Sequence, residues 1–92
     1  MKKITDYNFS HSWAVGELGV KPNEDYLVLK DIGDLKQGQL VRFAGFDDVD
    51  NHYGIFVFVD VHGRVLEVAG DFSSPTHSSM TKLKPALSKQ AG

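Results

Sequence analysis

Asp47, Asp48 and Asp50, with Asn51, His52 and Tyr53, fall within the nine-residue stretch that runs from Phe46 to Gly54. Carboxylates and an imidazole this close together could hold a divalent cation or move a proton. A calcium loop needs oxygen ligands at alternating positions, a glycine at its sharp turn and a distal carboxylate. Counted from Asp48, those last two places fall on Tyr53 and Val59, so the pattern fails. Asp50 and His52 with His62 or His77 could reach zinc, but no spacing selects that set and there is no cysteine to complete it. His11 lies between Ser10 and Ser12, and His77 between Thr76 and Ser78. Neighbours on an extended chain point apart, so adjacency makes no nucleophile and base. The glycines at 16 and 19 lack the rest of any phosphate-binding fingerprint. The expectation is therefore a protein without catalytic residues, metal or cofactor. The acidic stretch then has two readings: turn geometry and solubility between two strands, or a recognition loop for a basic partner.

The frame that must position these residues is small. A chain of 92 residues forms one domain with one modest core. With 41% hydrophobic and 24% charged residues it has enough apolar material to fold. The lack of cysteine suits a reducing compartment, and neither a signal-peptide run nor a membrane-spanning stretch is present, so a cytoplasmic location is expected. A net charge of −2 argues against affinity built on many phosphate contacts. The charge is unevenly spread: residues 1–45 balance, 46–72 carry −5 and 73–92 carry +3.

Strand signals dominate the chain. Tyr26–Lys30 and Gln39–Phe46 read as strands, separated by turns at Gly33 and Gly38. Two β-branched and aromatic runs between Tyr53 and Asp71 flank Asp60-Val61-His62-Gly63 and predict a β-hairpin. Ser73–Ser79 reads as a loop or single helical turn, Met80–Lys84 as a last short strand, and Leu87–Gly92 as a fraying end. Gly16 and Gly19 interrupt the best helix candidate, so residues 1–24 are expected to form an irregular N-terminal arm.

The order of these elements, with Leu35–Phe43, a polar loop, the 53–71 hairpin and a closing strand at Lys82-Leu83, resembles the Src-homology-3-like small β-barrel. The resemblance covers roughly residues 25–86 and implies a mainly β, five-stranded barrel over 25–87, with a frayed tail at 88–92. Such barrels bind peptides, proteins or nucleic acid through loops and one sheet face.

Both faces of the 53–61 strand are apolar. The simplest assignment sends Ile55, Val57 and Val59 inward with Val41 and Phe43, leaving Phe56 and Phe58 to be covered by Tyr7, Phe9 and Trp13 of the arm, or by a partner. The first functional expectation is a non-enzymatic binding module or regulator, a monomer or homodimer, that takes a protein through Asp47, Asp48, Asp50, His52, Tyr53 and Trp13. The analogy extends to accessory proteins of phages and mobile elements. The alternative is a nucleic-acid-binding barrel that stacks bases on Phe56 and Phe58, with Arg42 and Lys82 steering phosphates.

Overall fold

The computed structural model describes residues 3–10, 12–50, 53–72, 74 and 76–89, and its frame is a single antiparallel sheet. The strands are β1 (Asp25–Val28), β2 (Leu40–Asp48), β3 (Tyr53–Asp60), β4 (Val65–Asp71) and β5 (Leu87–Lys89), in the spatial order β4-β3-β2-β1-β5. The expected hairpin is β3–β4, and its turn is built around one carboxylate. Asp60, with a side chain only 4% exposed, accepts from the amides of His62 and Arg64 at 2.9 Å each and from the Arg64 guanidinium at 2.8 Å. Gly63 completes the turn at φ +81°, a conformation that favours glycine.

The sheet is mainly β in the expected sense but does not close into a barrel. Its open side is stitched once: the Asp34 amide donates to the Glu67 carbonyl, and the Glu67 amide donates to the Asp34 carboxylate, both at 3.0 Å. This satisfies one position on the outer edge of β4, where unpaired backbone would otherwise invite another strand.

A β-bulge decides which residues of β2 face inward. Phe43 pairs with Phe58, Gly45 with Val57 and Phe46 with Phe56, so Ala44 is an extra residue in the ladder. Strict alternation would place Phe43 and Phe46 on opposite faces. With the extra residue both point inward, where Phe43, Phe46, Phe56, Phe58 and Phe72 form one aromatic cluster with ring centroids 4.7–6.1 Å apart. Phe56 and Phe58 are fully buried, so the expected inward set of Ile55, Val57 and Val59 is reversed. Both faces of β3 are apolar, and the bulkier rings, with more area to remove from water, take the closed side. Gly54 continues this inward row. A Cβ there would meet the Phe46 ring.

Two helices complete the core. α1 (Trp13–Leu18) lies within the segment expected to be irregular. Ser12 caps it by accepting from the Ala14 amide at 3.2 Å, and Gly19 ends it in the left-handed conformation at φ +80°. Its buried face is Ala14 and Leu18, one turn apart. α2 (Ser78–Leu83) occupies most of the expected last strand, because Met80 and Leu83 at helical spacing both enter the core. A 3-10 turn at Lys84–Ala86 then leads into β5, which pairs with β1 through Leu87–Lys89 instead of fraying.

Candidate functional site

The outward face of β2 and β3 is covered by the N-terminal segment. Phe9 forms an isolated bridge with Asp47, and the Ser10 amide donates to the Phe46 carbonyl at 3.0 Å, so the arm extends the upper half of β2 as a short edge. The Phe9 ring lies against Gly45, where an added Cβ would sit 2.6 Å from the ring. Tyr7 stacks on Phe9 at 5.8 Å, with ring planes 3° apart, and donates its hydroxyl to Glu67 at 2.5 Å. Gly45, Val57 and Glu67 are register partners across β2, β3 and β4, so the stacked pair spans the row that contains fully buried Val57. Burial, then the hydrogen bond to Glu67, then the nearby carboxylates push the Tyr7 phenol well above its usual value. An arm covering a second apolar face was the sequence expectation; the face is that of Val57, and Tyr7 and Phe9 do the covering.

Trp13 is the exception. Its side chain does not join that cover but stands 49% exposed beside a cleft of about 650 Å³. The arm and α1 contribute Phe9, Ser10, Ser12, Trp13, Val15 and Gly16 to its lining; β2 contributes Phe43, Ala44, Gly45 and Phe46; Pro22 completes it. Among the described residues no charged group lines this cleft. It lies within the size range of ordinary ligand and side-chain pockets, with apolar walls and two hydroxyls. Two features of the chain create it. The capped start of α1 fixes Trp13 at the rim, and the bulge sets Ala44 and Gly45 side by side on the outward face.

The acidic stretch starts where the cleft ends. Asp47 lies two residues beyond Gly45 on the outward face, about 7 Å along a strand, and its carboxylate accepts only a long 3.4 Å bond from the Asn8 amide. Asp48 and Tyr53 are exposed at the strand ends. Asp50 has a turn role: its amide donates to the Tyr53 carbonyl and its carboxylate accepts from the Tyr53 amide. His52, the remaining member of the expected surface, lies outside the described residues.

The basic tail does not neutralise this region. Lys84 pairs with Glu17 at 2.6 Å and Lys89 with Glu24 at 3.5 Å, while Arg64 is taken by Asp60 and Arg42 by Asp25. No ion pair among the described residues reaches Asp47 or Asp48. The charge segregation read along the sequence therefore survives folding.

The nucleic-acid surface is not assembled. Phe56 and Phe58 are fully buried and offer no ring face to a base. Arg42 is engaged by Asp25 at 3.1 Å on the outward side of β2, while Lys82 sits on α2 against the opposite face of the sheet. Among the described residues no three potential metal ligands gather. Asp71 and His77 do meet, with Oδ2 and Nε2 3.3 Å apart, but among the described residues the other ring nitrogen has no hydrogen-bond partner, so none of their serine hydroxyls is coupled to it. No helix of the described residues is long and apolar enough to cross a membrane.

The helix that carries Trp13 is what sequence reasoning missed. Its signals were a serine cap at Ser12 and a terminal glycine at Gly19; Gly19 ends a helix of 6 residues, and does not interrupt a longer one. Comparison of the chain with protein-family models, with curated proteins and with solved structures gives no match.

Proposed function

We propose that this chain is a non-enzymatic binding module that takes a protein partner at the Trp13 cleft and the acidic end of β2. One observation carries the reading: an uncharged apolar cleft opens on the outward face of β2, and Asp47, two residues past its lining residue Gly45 on that face, and Asp48, exposed at the strand end, pair with no cation among the described residues. An exposed tryptophan at the rim of a concave apolar site is the kind of anchor that concentrates binding energy, and charges at the edge select and orient a partner. The resemblance to a small Src-homology-3-like barrel would hold at the level of element order alone, with Leu87–Lys89 and not Lys82-Leu83 returning beside the first strand and the sheet left open. A regulator acting by surface contact in the cytoplasm fits this reading.

The test is capture from native cell extract, with nuclease present, by the tagged protein and by its Asp47→Lys/Asp48→Lys variant. Loss of a stoichiometric protein in the variant, with thermal unfolding unchanged, is the expected result. Asp48→Lys alone keeps the Asn8–Asp47 contact and controls for damage to the arm. Undiminished capture by both variants would remove the acidic end from the site.

A further inference from the structure

We infer that the partner presents a linear segment in which an apolar side chain, seated in the Trp13 cleft, is followed or preceded within a few residues by arginine or lysine. The inference rests on the binding reading above and adds the chemistry of what is bound. A cleft of about 650 Å³ with no charged lining takes an uncharged side chain and rejects a carboxylate or ammonium, because a buried ion without a partner is costly. Asp47, on the outward row two residues past Gly45, and Asp48, exposed at the strand end, stand outside it and pair with no cation among the described residues, so a ligand must reach from the cleft to them. Two residues of extended chain cover about 7 Å. A segment carrying an apolar anchor and a cation at that spacing meets both features at once. A nucleic acid meets neither: its phosphates are repelled by Asp47 and Asp48, and its bases find no exposed ring of Phe56 or Phe58.

Trp13 is the sole tryptophan, so its emission reports on the cleft. The probes are N-acetyl-Leu-Arg-Arg-amide and its reversed order, Arg-Arg-Leu, compared with Ala-Arg-Arg and Leu-Glu-Glu; none of them emits in the tryptophan range. At low salt the better of the two Leu/Arg orders should half-saturate the Trp13 shift at a concentration at least about tenfold below that of Leu-Glu-Glu. It should also do so well below Ala-Arg-Arg, and Asp47→Lys/Asp48→Lys should erase the preference for arginine over glutamate. Equal response to Leu-Arg-Arg and Leu-Glu-Glu overturns the basic-partner assignment while leaving the cleft as a binding site. No shift with any peptide at about 10 mM, a concentration at which even millimolar affinities show, overturns the inference entirely. Capture from extract, with its loss in the charge-reversed variant, then decides the binding reading independently.

Discussion

The two faces of the β2–β3 pair are built from similar residues and held in different ways. On the inward face, five of the six phenylalanines interlock beneath α2, Leu35 and the strands themselves. On the outward face the sixth, Phe9, lies against Gly45 with Tyr7 stacked beside it, and the arm's contacts with the sheet include a short hydroxyl bond to Glu67, the Phe9–Asp47 bridge, a long bond from the Asn8 amide to Asp47 and a backbone bond at Ser10. The first is a core, whose parts cannot move singly. The second is a cover, whose parts meet the sheet at a few points, and the candidate site opens at its margin. The proposed recognition site thus lies at the margin of the less tightly held of the two covers.

The contrast can be broken most severely from the inside. Phe56→Ala should cost about 3–5 kcal/mol in chemical denaturation, because Phe56 touches Phe43, Phe46 and Phe72 at once; a loss below about 1 kcal/mol would show that this face is not the core. Gly45→Ala attacks the cover. The new methyl meets the Phe9 ring, and a loss of about 1–3 kcal/mol is expected, with faster amide exchange at Ser10 and unchanged exchange in β3–β4. Protection lost equally across both strands would mean that arm and core unfold as one unit. Tyr7→Phe removes the hydroxyl bond to Glu67 and should lower stability by about 1 kcal/mol, leaving the Trp13 emission of the free protein unaltered.

Titration separates the same regions with no change at neutral pH. The Tyr7 phenol is raised in the folded state, so its contribution is complete below the ordinary phenol value near 10 and is lost as pH rises above it. The arm should loosen on the alkaline side, read as exposure of Phe9 and Tyr7 before global unfolding. The Asp60 carboxyl is lowered, first by the Arg64 amide, against the opposing effect of burial, and further by the Arg64 guanidinium and the His62 amide. Its contribution is complete above the ordinary carboxylate range and is lost as pH falls through the folded value. The hairpin turn should therefore fail on the acid side, seen as Arg64 and His62 amide shifts that Asp60→Asn abolishes.

Much of the frame was legible in the sequence because its causes are local. The hairpin followed from two strand-forming runs around Asp60 and Gly63, and the need for a cover over a two-faced apolar strand followed from Ile55–Val59 alone. The choice of face was not legible. Alternation gives parity only up to a sign, and the sign is set by the Ala44 bulge and by the Phe72 ring brought in from just after β4. The end of the chain misled for a related reason: Met80, Lys82 and Lys84 alternate with Thr81 and Leu83 as a strand would, yet Met80 and Leu83 also fit one helical face, and burial of both decides for α2. Of the candidate site, the acidic residues and Trp13 were found by type. Their meeting at one margin depends on the arm running along Phe46 and Asp47, a tertiary pairing that no local pattern encodes.

The bulge at Ala44 also means that β2 carries slack. Without Ala44, the inside-outside order Phe43, Gly45, Phe46 is that of a regular strand, and every partner in β3 stays where it is. The extra residue adds no pairing to the ladder and lines the cleft. A chain shortened by that one residue should still fold, and under the proposed function it should lose its partner, so that strand length at Ala44 would answer to what is bound and not to what is built.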